Sequence, residues 1–282
     1  MITAKNLMSK NFLKIDTNDH VSKLIGHMKN KNTTFALVYQ GKKYKGMIDK
    51  KFLLTSRVDT SQMKVNNILK KRSKAKTCFF VPKLKYDTTL DEICKLLATT
   101  HANALPVIEK NVVKGIVTVK KVLQKIRKQY QGLRAKDILR KRLTSALETE
   151  KIGKIIEKMH LNKIDKLPIV NRAGKLIGIA TISDIMKYFH RWPITAQKLR
   201  TKGIKRVKSP DRDTGEKQDM LKTPVSNIMI PAQVCATADL ETSMPLIIDM
   251  MTKENTSSVI IQEKKKPIGI ITQTDLLKEY VK

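Results

Sequence analysis

The chain is short of acid, of aromatic residues and of cysteine. Only 25 Asp and Glu stand against 57 Lys and Arg in 282 residues, which leaves a formal net charge of +32. Aromatics make up 5%, so stacking platforms for nucleic-acid bases are scarce. Cys78, Cys94 and Cys235 are odd in number, far apart and without a CxxC pair. That argues against a disulfide framework or zinc site and fits a reducing cytosol. His20, His27, His101, His160 and His190 show no metal-ligand or catalytic spacing. A nucleophile elbow, a P-loop and a Rossmann glycine set are all missing, which argues against an enzyme. No apolar run approaches a membrane span and the N-terminus carries no signal peptide, so a cytoplasmic protein without a membrane partner is expected.

What the chain does have is repetition. Gly178-Ile-Ala-Thr-Ile-Ser-Asp184 follows the β-branched run Leu167-Pro-Ile-Val170, and Gly269-Ile-Ile-Thr-Gln-Thr-Asp275 follows Ser258-Val-Ile-Ile261 at the same offset of eleven. Gly115-Ile-Val-Thr118 follows Leu105-Pro-Val-Ile108, and Gly46-Met-Ile-Asp49 follows Ala36-Leu-Val-Tyr39, each at an offset of ten. Repetition at such periods governs the reading of the whole fold. Each copy opens on a short apolar segment: Asn6-Leu7-Met8, Asn67-Ile68-Leu69, Asp137-Ile138-Leu139 and Asn227-Ile228-Met229. An amphipathic helix follows, then two strands around a turn, then a closing helix. Asp16 to Asp19, Asp87 to Thr89 and Glu148-Thr149 offer N-caps for the first helices of repeats one, two and three. Gly174 supplies the positive φ of the repeat-three turn, and Pro245 is tolerated only near the start of its helix.

Successive motif glycines are separated by 69, 63 and 91 positions. The longest interval contains Arg200, Lys202, Lys205, Arg206 and Lys208 and reads as a mobile basic loop. The expected divisions are repeat one at 1–58, repeat two at 64–129, repeat three at 133–190, a basic linker at 191–223 and repeat four at 224–282.

Four registered copies of this strand and helix order, with these motifs, resemble the cystathionine-β-synthase (CBS) domain. The resemblance implies an α/β (α+β) fold in which four CBS repeats pair into two Bateman modules. It further implies a disc-like arrangement similar to the regulatory γ subunit of AMP-activated kinase. In that family the motif Thr and Asp hold the ribose of an adenine nucleotide. The base lies in a cleft between paired repeats, and basic side chains meet the phosphates. Carried over by position, Thr181 and Asp184 form one ribose site, Thr272 and Asp275 a second, and Lys163 and Lys166 reach phosphate. Repeat two has Lys121 at the Asp position. Repeat one has Asp49 at the Thr position and Phe52 at the Asp position. Both N-terminal ribose sites are therefore read as degenerate.

The expected function is a non-enzymatic sensor that needs no cofactor. Its C-terminal pair binds AMP, ADP, ATP or S-adenosylmethionine and signals to a separate, unidentified effector protein. Two alternatives stay open. Asp184 and Asp275 also suit a purely structural role as helix caps, with the repeats serving homodimer assembly. The charge supports contact with nucleic acid: residues 64–86 carry eight Lys or Arg and no acid, and residues 110–142 carry twelve against one Asp.

Overall fold

The computed structural model describes residues 1–31, 33–49, 63–74, 81–139, 143–162, 164–191 and 221–282. The proposed loop core at 192–220, Phe52, Cys78 and Lys163 lie outside the described residues.

Repeat one runs through α1 (Ala4–Leu7), β1 (Lys14–Asp16), α2 (Val21–Asn30), β2 (Phe35–Gln40) and β3 (Lys43–Asp49). Repeat two comprises α3 (Val65–Lys74), α4 (Leu90–Thr100), β4 (Ala104–Glu109), β5 (Val112–Thr118) and α5 (Val119–Ile126). Repeat three comprises α6 (Ala135–Ile138), β6 (Ala146–Leu147), α7 (Ile152–Leu161), β7 (Lys166–Val170), β8 (Leu176–Thr181) and α8 (Ile182–Arg191). Repeat four comprises β9 (Ile230–Pro231), β10 (Thr237–Ala238), α9 (Met244–Lys253), β11 (Ser258–Glu263), β12 (Lys266–Thr272) and α10 (Gln273–Tyr280).

One connection recurs. A short strand lies parallel to the next strand across an intervening helix, and that next strand forms an antiparallel hairpin with a third. In repeat two the first strand shrinks to a bridge between Leu84 and Val107. Three hairpins bulge one step past the motif glycine's pair: Val38/Tyr39, Val107/Ile108 and Ile169/Val170. The helices form because their apolar residues recur on one face. In α5, Val119, Val122, Leu123 and Ile126 are buried, while Lys120, Lys121 and Lys125 point to solvent.

Several expected caps are absent. The N-cap of α2 is His20 and that of α7 is Lys151, and neither side chain caps its helix. Asp16 and Asp19 instead close their own turn, where Asp19 Oδ2 accepts the Asp16 N–H at 3.1 Å. The free helix N–H groups are taken by a carbonyl four positions ahead of another repeat's opening segment. Val21 donates to the Met63 carbonyl at 2.9 Å, Leu90 to Ile2 at 3.1 Å, Ile152 to Thr223 at 2.9 Å and Met244 to Leu133 at 2.9 Å. A tertiary carbonyl thus does the work that a local Ser, Thr, Asp or Asn performs elsewhere. Thr89 does cap α4, accepting from Glu92 N–H. Pro245 lies in the first turn of α9, and Gly174 has φ +75°. The equivalent turns of repeats two and four adopt positive φ without glycine, at Lys110 and Asn111 and at Lys264 and Lys265.

The chain forms two compact units: Met1–Lys141 with Ala236–Ile261 and Gly269–Lys282, and Arg142–Cys235 with Gln262–Ile268. Inside the first, the core of repeat one (Leu13, Ile15, Val21, Leu24, Met28) is completed by Val65 and Ile68 of repeat two. Fully burying such side chains stabilises by roughly 1.5–3 kcal/mol each. A second cluster joins the sheets of repeats one and two through Phe35, Leu37, Met47, Ala104 and Ile116. Helices α4 and α5 pack on α10 and α9. Here Arg127 forks onto Asp249 at 2.6 and 2.7 Å, and the buried Tyr130 hydroxyl donates to the Leu276 carbonyl at 2.5 Å. In the second unit, Ile152, Ile155, Met159, Leu167, Ile169, Ala180 and Ile185 enclose Val225 from the opening of repeat four. No helix among the described residues is long and apolar enough to cross a membrane.

Candidate functional site

The motif glycine is a seat for the opening segment of another repeat. A Cβ built on Gly178 would lie 2.5 Å from the Ile230 carbonyl oxygen and 2.9 Å from Met229 Sδ. On Gly115 it would meet Ser9 O at 2.9 Å and Met8 at 3.0 Å, on Gly46 it would meet Leu69 at 3.4 Å, and on Gly269 it would meet Leu139. Met8, Leu69, Leu139 and Met229 are the third residues of the four opening segments. Repeats one and two therefore seat on each other, and so do repeats three and four. At Gly115, Gly178 and Gly269 only the absence of a side chain permits so close an approach, whereas the contact at Gly46 is an ordinary one.

In repeats two, three and four the strand ends three residues past the seat glycine, and a helix begins. Thr272 is the N-cap of α10: its hydroxyl accepts the Asp275 N–H at 3.3 Å and donates to Asp275 Oδ2 at 2.6 Å, and its own N–H donates to that oxygen at 2.9 Å. This is a capping box with Asp at its third position. Repeat three does the same. Thr181 Oγ1 accepts from Asp184 N–H at 3.2 Å and donates to Asp184 Oδ2 at 2.5 Å. The Asp thus sits within the first turn rather than at the cap, and Thr is the cap. In repeat two, Thr118 caps α5 through the Lys121 N–H at 3.4 Å with no carboxylate present. The helix start therefore does not require the Asp.

Both Asp side chains are half-buried. A carboxylate has about four acceptor positions. Among the described residues, every hydrogen bond accepted by Asp275 falls on Oδ2 and none on Oδ1. Lys166 stands directly opposite Thr181 in the hairpin register, so the structure brings it to that motif. In repeat one, Asp49 accepts from Asn103 Nδ2 of repeat two at 2.9 Å, so a neighbouring repeat already occupies that motif position.

Sequence reasoning missed Cys235. Burial, and then the charge of Asp184, push its thiol up to about 11, and its sulfur donates to the Pro231 carbonyl at 3.3 Å. No spacing signal announces a cysteine 51 positions from Asp184. Burial likewise pushes Cys94 up to about 12. Neither thiol is a nucleophile at neutral pH. Among the described residues no group of three His, Cys, Asp or Glu could hold a metal ion. A polar cavity of about 340 Å³ lined by Lys83, Lys85, Asp87, Thr88 and Glu92 shares no residue with the motifs.

Among solved structures, a Methanocaldococcus jannaschii protein described as a candidate archaeal homologue of γ-AMPK is 18% identical, with a TM-score of 0.75 over 99% of this chain and 100% of that one. It shows a shared fold. An inosine-5′-monophosphate dehydrogenase of Thermoplasma acidophilum is 34% identical over 100 residues, which span 36% of this chain and 20% of the enzyme. An uncharacterized 33.4 kDa protein in the ribosomal RNA operon of Thermofilum pendens is 23% identical over 202 residues, 69% of this chain and 62% of that protein. Residues 80–128, 135–191 and 225–282 match the CBS domain. With these matches, and with repeat one built on the same strand order, the chain belongs to the CBS domain family.

Proposed function

We propose that the chain is a non-enzymatic sensor whose Thr181–Asp184 and Thr272–Asp275 pairs each grip the ribose of an adenosyl ligand: AMP, ADP, ATP or S-adenosylmethionine. The observation that carries this reading is the contrast with repeat two, where Thr118 starts the helix without any Asp. The Asp of repeats three and four is surplus to the cap, and Asp275 keeps Oδ1 available for a hydroxyl. Lys166, opposite Thr181, suits the phosphate of a nucleotide. Ligand binding would favour one arrangement of the repeats over others, and an effector protein would read that population shift. A thermal-shift panel of the four ligands on the full chain tests the proposal. A ligand at 100 times its Kd stabilises by about 2.7 kcal/mol. The expected result is a raised Tm with at least one of them, abolished by Asp184→Asn combined with Asp275→Asn. A double variant that responds like the parent, or four ligands without effect at millimolar concentration, would reject it.

A further inference from the structure

The chain has 13 aromatic residues among 57 Lys and Arg. Repeat one gathers three of the rings in one place. Tyr39 and Tyr44 face each other across the β2–β3 hairpin, with centroids 5.9 Å apart and planes at 66°. Lys14 Nζ lies 5.4 Å from the centroid of Phe12 and 5.6 Å from that of Tyr39. All three rings are half-buried against the cluster of Phe35, Leu37 and Met47, so their positions are set by the core while part of each stays open. Lys14, Lys42, Lys43 and Lys45 are exposed around them. The acid beside them, Asp16, is committed to the backbone N–H groups of Asn18 at 2.9 Å and Gly41 at 3.4 Å.

We infer that this cation-and-ring patch of repeat one is a binding surface for single-stranded RNA or DNA, bases stacking on Tyr44 and, by displacing the Lys14 ammonium, on Phe12 and Tyr39, and phosphates meeting the released Lys14 with Lys42, Lys43 and Lys45. Every base has a π-face, so stacking on rings is tolerant of sequence, while a cationic rim follows the phosphates. Duplexes hide those faces, so the patch selects unpaired strands. The surface is separate from the Thr–Asp motifs and does not depend on the ribose reading.

Fluorescence anisotropy of the full chain with labelled 20-nucleotide poly(U), poly(dT) and a DNA duplex, across a salt series, tests it. Single strands should bind more tightly than the duplex, and the RNA and DNA arms identify the preferred backbone. Tyr44→Leu and Phe12→Leu should each weaken binding about tenfold, while Tyr44→Phe keeps parental affinity. Replacing Lys42, Lys43 and Lys45 together by Gln should flatten the salt dependence, each lost phosphate contact lowering the slope by about 0.7. The control replaces Lys23, Lys29 and Lys31 of α2 and its end, removing the same charge elsewhere. These exposed lysines keep the test decisive even if a ring variant melts early. Equal losses in the two lysine sets, equal affinity for duplex and single strands, or no binding at low salt would overturn the inference.

Discussion

The N-terminal and C-terminal pairs share their construction and differ in their chemistry. Repeats one and two seat Met8 on Gly115 and Leu69 on Gly46, and repeats three and four seat Met229 on Gly178 and Leu139 on Gly269. In all four, backbone N–H groups at the start of the first helix are closed by the other repeat's carbonyl groups. The strand-to-helix junctions diverge. The C-terminal pair keeps a Thr and a carboxylate at both. The N-terminal pair has Lys121 at one, and at the other has Asp49 held by Asn103. Glycine and an apolar third residue carry the pairing in all four repeats, whereas the proposed ligand chemistry rests on the Thr–Asp pairs of repeats three and four alone.

The largest expected effect breaks the shared part. Gly178→Ala drives a Cβ to within 2.5 Å of a backbone oxygen, which cannot swing aside, and should cost about 2–3 kcal/mol in urea unfolding. Gly115→Ala, with its nearest atom at 2.9 Å, should cost less, and Gly269→Ala should be rescued in part by Leu139→Ala. A harmless Gly178→Ala would dismiss the seat. The next effect separates the pairs. Asp275→Asn should weaken adenosyl-ligand binding by about tenfold in calorimetry, since one hydrogen bond to a charged group is worth roughly 1.5–3 kcal/mol. Thr118→Ala, by contrast, should leave ligand affinity untouched and cost about 1 kcal/mol as a lost cap. A ligand effect from Thr118 would erase the division between the pairs.

The smallest effect concerns acid. The Arg127 hydrogen bond, aided by its charge, holds the Asp249 carboxyl below the usual carboxylate range. A folded-state pKa below the unfolded one contributes stability that is fully present above about pH 4. That contribution is lost as pH falls through the folded value. Asp249→Asn should slightly flatten the acid limb of a Tm-versus-pH curve and leave the neutral limb parallel to the parent. Solvent screening keeps the effect small, because both side chains are partly exposed.

Much of the fold was legible. The four apolar runs ten or eleven positions ahead of a glycine, and the helical spacing of residues such as Ile152, Ile155 and Met159, announce strand and helix directly, because periodicity reports which face is buried. Thr181, Asp184, Thr272 and Asp275 were visible as a repeated spacing, and the structure joins each pair by hydrogen bonds. Lys166 was visible only as a neighbour, and its register opposite Thr181 follows from a bulge that no local pattern marks. The caps of α2 and α7 were misread because their N–H groups are satisfied by residues some 40 to 70 positions away. Glycine-free positive-φ turns at Lys110 and Lys264 were likewise silent, since lysine carries no preference for that conformation.

Sequence by itself determined the repeat count, the order of strand and helix within each repeat, and which two junctions pair a Thr with an Asp, because these rest on local spacing and residue type. Tertiary structure alone decided which repeats seat on one another, and that a motif glycine makes room for the opening segment of its neighbour. It also decided that scattered Phe12, Lys14, Tyr39 and Tyr44 form one patch. These depend on atoms distant in the chain approaching within van der Waals reach, and no linear pattern encodes that distance.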